Sequence, residues 1–130
     1  MHSASSREGR AVHIDKDLVA AAATPLVLAI LAEGESYGYA ILKRVRALSG
    51  GELEWTDGML YPLLHRLDRL GHVTTEWRSS PEGRRRKYYA ITESGRTALA
   101  DQRRQWETIT RALNDVWPGS GVLLTALGDV

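Results

Sequence analysis

The sequence predicts a mainly α fold with a small β-hairpin: a winged helix-turn-helix followed by a long C-terminal helix suited to dimerisation. Three observations lead there. Helical periodicity runs through three successive segments between Asp15 and Leu70. Two β-rich runs then flank the turn-and-cation segment WRSSPEGRRRKYYAI, Trp77 to Ile91. Last, apolar residues recur every seven positions in the stretch that follows, at Leu99, Trp106 and Leu113.

The first helical segment, Asp15 to Ala32, is rich in Ala, Leu, Val and Ile and is closed by Gly34. Thr24-Pro25 within it fits either a fresh helix start, with Thr24 as cap, or a kink in a longer helix. Ser36 is placed to cap a second helix, in which Ile41, Val45 and Leu48 share a face and which Ser49-Gly50-Gly51 stops. A third helix begins at Thr56, whose hydroxyl can accept from a first-turn amide. Trp55 and Leu60 are spaced as a hydrophobic staple around that start. Its apolar stripe is Leu60, Leu63, Leu64, Leu67 and Leu70, ended by Gly71, and Pro62 falls late for a first turn.

Val73 to Trp77 and Lys87 to Ile91 read as the two strands of a hairpin around Ser-Ser-Pro-Glu-Gly. Thr92-Glu93-Ser94 caps the final helix, whose seam of Leu99, Trp106 and Leu113, with Ile109 and Val116 between, has coiled-coil period. So small a core offers that seam no internal partner, and a homodimer is the simplest answer. The expected organisation is a flexible N-terminal arm over residues 1–14, a DNA-binding domain over 15–92, the dimerisation helix over 93–117 and a tail over 118–130.

Composition narrows the chemistry. With no cysteine among 130 residues, a disulfide scaffold, a thiolate metal site and a cysteine nucleophile are excluded. No apolar run reaches membrane-spanning length and no signal peptide is evident, so a cytoplasmic protein without a membrane partner is expected. The four histidines show no ligand spacing, and no phosphate-binding glycine loop, nucleophile elbow or carboxylate pair is present. No enzyme activity, cofactor or metal is expected. Net charge is only +1, but Met59 to Lys87 holds seven cations against three acids, whereas Glu93 to Trp117 holds four of each. Positive potential is thus concentrated on the third helix and the hairpin, where an anionic polymer would be drawn.

Residues able to meet double-stranded DNA follow from that placement. Base edges are reached from the first turns of a recognition helix, which singles out Gly58, Met59, Tyr61 and His65, with Arg66 beyond. In the hairpin Arg84, Arg85, Arg86 and Lys87 alternate between faces, so they cannot all touch one phosphate row; Arg84 and Arg86 at the tip are favoured, toward phosphates or a minor groove. Tyr37, Lys43 and Arg44 at the second helix are further phosphate candidates.

The stretches LVLAILAEG (Leu26 to Gly34), YGYAILKRV (Tyr37 to Val45), GMLYPLLHRLDRLGHV (Gly58 to Val73) and GRRRKYYAITESG (Gly83 to Gly95) together resemble the PadR family of bacterial transcriptional regulators. The sequence departs from the family's usual pattern at Tyr37, where a histidine is common, and at Met59, where a threonine is. The length resembles the family's short subgroup, which implies dimerisation through the first and last helices. The resemblance also places Trp106 where some short members sandwich flat, hydrophobic ligands at the dimer interface. Gln102, Arg103 and Arg104 flank it and would suit an aromatic or phenolic effector; plain packing of Trp106 in the seam, with Ile109, Leu113 and Trp117, is the other reading. The function so implied is a ligand-responsive repressor that binds an inverted repeat as a homodimer. A protein–protein interaction module and a DNA binder without effector are the alternatives.

Overall fold

In a computed structural model residues 13–118 are described, in the order α1 (Lys16–Glu33), β1 (Ser36–Tyr37), α2 (Gly38–Leu48), α3 (Asp57–Arg69), β2 (Val73–Ser79), β3 (Arg85–Ile91) and α4 (Glu93–Val116). All but two residues of the expected arm and all but one of the expected tail lie outside the described residues. The architecture is a winged helix carrying one long C-terminal helix.

α1 is the spine. It packs against α2, β3 and α4, and Val27, Leu28, Ile30 and Leu31 are all buried, on one broad face of the helix. Pro25 lies inside this single helix, and Thr24 accepts a bond from Arg66 at 3.0 Å instead of capping a new start. Against α1 are set Ile41 and Val45 of α2, Leu60, Leu63, Leu64 and Leu67 of α3, and Val73 and Tyr89 of the sheet. Trp55 and Leu60 both belong to this core, as the staple spacing anticipates. Leu70, the fifth residue of the stripe, is exposed because the helix stops one residue before it.

Two local expectations are corrected. Ser36 does not cap α2: Ser36 and Tyr37 are extended and pair with Tyr89 and Tyr88, so the hairpin becomes a three-stranded antiparallel sheet of order β1-β3-β2. Tyr37 takes the N-cap position instead. A two-residue strand carries no periodicity to reveal it; its existence depends on the distant edge of β3. Thr56 precedes α3 as read, but its side chain makes no capping bond. Thr92 does cap α4, accepting from Gly95 N at 3.0 Å while donating to the Gly71 carbonyl at 2.7 Å. Pro62 is tolerated because the carbonyl it leaves unbonded, that of Gly58, belongs to an exposed residue that water can reach.

The junction of sheet and α4 is tight. A Cβ on Gly95 would meet the His72 carbonyl oxygen at far less than contact distance and would come within 2.7 Å of Ile91 Cγ1. Because backbone must move to admit a methyl group, Gly95→Ala is expected to cost about 1–3 kcal/mol. A lowered urea midpoint with an unchanged slope is the measurement that checks it.

Candidate nucleic-acid interface

The leucine stripe of α3 faces the core, which leaves Gly58, Met59, Tyr61, His65 and Arg69 exposed along the other side. Gly58, Tyr61, His65 and Arg69 are spaced three or four apart and form one ridge. The ridge is held at its first turns by Tyr61, whose ring end rests on Gly38 at the start of α2. A Cβ at Gly38 would overlap the tyrosine hydroxyl and lie 2.7 Å from Cζ. Tyr61 therefore has a double placement, half turned to solvent and half pinning α3 to α2. Arg66 sits on the flank of the helix, tied to Thr24 of α1, and not on the ridge itself.

The wing projects beyond the core. β2 and β3 pair from Val73↔Ile91 outward to Ser79↔Arg85. Its tip is closed by Ser80, which is buried: Ser80 N donates to the Arg84 carbonyl at 2.6 Å, and Ser80 Oγ accepts from Arg84 N at 3.1 Å. Glu82 at the tip has its pKa lowered, mainly by its own backbone amide and the Ser80 hydroxyl, with the nearby Arg86 and Arg84 adding to this. Arg84 and Arg85 are exposed, whereas Arg86 and Lys87 are half-buried.

The period-2 geometry of β3 separates Arg85 and Lys87 from Arg86, while Arg84 precedes the strand in the turn, and the register shows what the strand cations meet. On the outer face, Arg86 lies 4.3 Å over the Tyr37 ring and Arg78 lies 4.1 Å over Tyr88, while the two rings meet edge to face at 5.4 Å. Glu35 pairs with Arg78 at 2.6 Å, and Glu82 approaches Arg86 at 3.5 Å. The Arg78 guanidinium, by its hydrogen bond, lowers the Glu35 pKa below the usual carboxylate range. This stack of ions and rings fastens the wing to the β1 segment that leads into α2. Arg86 and Tyr37, both candidates from the sequence, are brought together here and partly occupied by one another.

On the inner face, beyond buried Tyr89, stand Lys87, Trp77 and Arg85. Lys43 of α2 lies 5.5 Å from the ring of exposed Tyr39, and Arg44 is engaged by Glu33 through two bonds of 2.7 and 3.0 Å. Arg46, the third cation of this helix, pairs with Glu54 at 3.3 Å, so Lys43 is the one set against a ring and not a carboxylate. Sequence reasoning missed Ser80, Arg78 and Tyr88. Their alternation was visible, but the register that sets Arg78 opposite Arg86 was not.

The second group of candidates lies along α4. Trp106 and Gln102 are half-buried, and Arg103 pairs with Glu107 at 2.9 Å. Ile109, Leu113, Val116 and Trp117 are exposed, Val116 by 78%. The Trp117 indole donates to Asn114 Oδ1 at 3.2 Å. Leu18 near the start of α1 is exposed by 54%. A cavity of about 480 Å³ opens between the first turns of α1 and the α2–α3 loop, lined by Val19, Leu53, Trp55 and Met59 among others; Trp106 is not part of it.

Residues 27–101, more than half of the chain, match the transcriptional regulator PadR-like family. A transcriptional regulator from Clostridium thermocellum is similar in structure with a TM-score of 0.71 and 27% identity, over 78% of this chain and 98% of that one. A PadR family transcriptional regulator from Eggerthella lenta is 31% identical with a TM-score of 0.62, over 81% of this chain and 86% of that one. In sequence, 56 residues are 43% identical to the transcriptional regulator Rv3488 of Mycobacterium tuberculosis, spanning 43% of this chain and 51% of the relative. An exposed ridge on α3 beside a basic wing, on a fold shared with these regulators, leaves one conclusion: the chain belongs to the PadR-like family of transcriptional regulators, which act by binding DNA and not by catalysis.

Proposed function

We propose that the chain acts in the cytoplasm as a homodimeric, ligand-responsive repressor. The observation that carries the DNA contacts is that α3 packs against β2 of the wing while its ridge and the tip cations Arg84 and Arg85 are exposed. Gly58, Met59, Tyr61 and His65 are offered to base edges in a major groove, and Arg84, Arg85 and Lys87 to the backbone beside it. Arg86, stacked on Tyr37, holds the wing at its angle and reaches phosphate only from that position. Arg66 stiffens the α3–α1 contact, and Lys43 is the second-helix phosphate contact. A dimer formed along α1 and α4 would set two such heads about 34–36 Å apart, or a multiple of that, on an inverted repeat.

The exposed Ile109, Leu113, Val116 and Trp117 support the dimer. The half-buried Trp106, with Gln102 and Arg103 beside it, supports an aromatic or phenolic effector between the two α4 helices. An effector that binds one head spacing better than the other needs a coupling of only about 1–3 kcal/mol to change DNA affinity about 5- to 150-fold.

Fluorescence anisotropy on the chain's own promoter tests this. Affinity should fall steeply with salt, by orders of magnitude between low and moderate ionic strength. Quenching of tryptophan emission by an aromatic compound, lost in Trp106→Ala, should accompany release from the promoter. Binding that ignores salt would replace the regulator reading with a protein-docking one.

A further inference from the structure

Trp77 is an exposed tryptophan, 55% accessible, on a wing whose neighbouring side chains are cationic. It stands in register with Lys87, and Arg85 lies 5.5 Å from its ring. By strand alternation it shares a face with Val73 and Tyr89, which are buried. It lies farther along the strand than either, so it continues the apolar side of the sheet past the end of the core. A single exposed ring is ordinary on a protein surface, but this one stands directly beside two cations of the wing.

Those surroundings decide what kind of partner suits the ring. A protein partner that covered the ring with apolar surface would also have to desolvate Arg85 and Lys87. A nucleic-acid backbone offers the complementary pair, an apolar sugar face and anionic phosphates alternating along the strand. The Arg85 guanidinium lies over one face of the ring, 5.5 Å from its centroid, which favours an edge or single-face contact over insertion between base pairs.

We infer that Trp77 is a DNA-contacting residue of the wing, packing on the deoxyribose of the backbone while Arg85 and Lys87 meet the phosphates on either side. The inference rests on the DNA-binding reading above and extends it to a residue that carries no charge. It makes the wing's grip part apolar. Such a contact adds affinity without displacing a counterion, and since it touches no base it acts on any sequence.

The two contributions separate in one experiment, salt titration of binding to a random-sequence duplex of about three helical turns. Trp77→Ala should weaken binding about ten-fold at every salt concentration and leave the slope of log affinity against log salt unchanged. Arg85→Ala should reduce that slope by about one. Trp77→Phe, which keeps a ring, should recover most of the loss. In parallel, DNA should quench part of the wild-type tryptophan emission, and that part should be absent in Trp77→Phe; this readout holds even if the alanine variant folds poorly. Equal binding by Trp77→Ala and wild type overturns the proposal, as does a quench that survives in Trp77→Phe. So does a shift of Trp77→Ala toward monomer in sedimentation without DNA, which would assign the ring to a second copy of the chain. If the wild type itself shows no salt-dependent binding, the DNA-binding reading fails and the proposal with it.

Discussion

Ile109→Asp combined with Leu113→Asp is expected to leave each chain folded but to give a protein that sediments as a monomer and binds its promoter on the order of 100-fold more weakly. The two side chains are 49% and 39% accessible, so the fold of one chain does not depend on them. In a dimer each would be covered by the partner helix, and each substitution would then bury a carboxylate with no cation opposite. Breaking apolar contact in this way costs several kcal/mol per ion even after relaxation, by about the magnitude seen for unpaired buried charges. A two-fold interface incurs that cost at both copies of each site. Monomeric heads retain α3 and the wing, so non-specific affinity at low salt should persist while the gain from simultaneous engagement disappears. Analytical ultracentrifugation and anisotropy on the same preparation check both halves. A double variant that remains dimeric would place the interface elsewhere, and the effector reading at Trp106 would go with it.

The second large effect is expected at the wing tip. Arg84→Ala with Arg85→Ala should lower promoter affinity by about two orders of magnitude at moderate salt and reduce the salt slope by about two, since about one counterion is released per neutralised phosphate. Both residues are exposed, and Ser80 closes the tip through Arg84's backbone, which alanine retains. Thermal stability should therefore be unchanged. Lys87→Ala should act in the same direction with a smaller loss. Arg86→Ala is expected to behave differently: it uncovers Tyr37 and frees one end of the stack with Tyr88, so the wing loosens as well as losing a charge. A double variant at Arg84 and Arg85 that kept the wild-type slope would remove the tip from the interface.

Much of this could be read along the chain, and the reason is local. The α3 stripe from Leu60 to Leu67 and the cap at Thr92 are set by spacing and side-chain chemistry within a few residues, so they survive without knowledge of what lies opposite. The clustering of cations on α3 and the hairpin is likewise a property of order alone. Together with the four resembling stretches, it points to a DNA-binding regulator.

Tertiary structure decided what each cation and ring is for. β1 exists because Ser36 and Tyr37 find the edge of β3, more than fifty positions away. Arg86 is divided between Tyr37 and Glu82, Arg44 is taken by Glu33 and Arg66 by Thr24, whereas Arg84 and Arg85 project from a tip closed by Ser80. Five arginines of one chemical type thus occupy different electrostatic settings, because the pairing of elements far apart in sequence chooses their neighbours. The same register places Trp77 beyond the core and beside two cations. The chain by itself determined that a helix and a basic hairpin would stand side by side. Only the fold determined which of their side chains remain available to a partner, since burial and pairing depend on three-dimensional neighbours that no local pattern encodes.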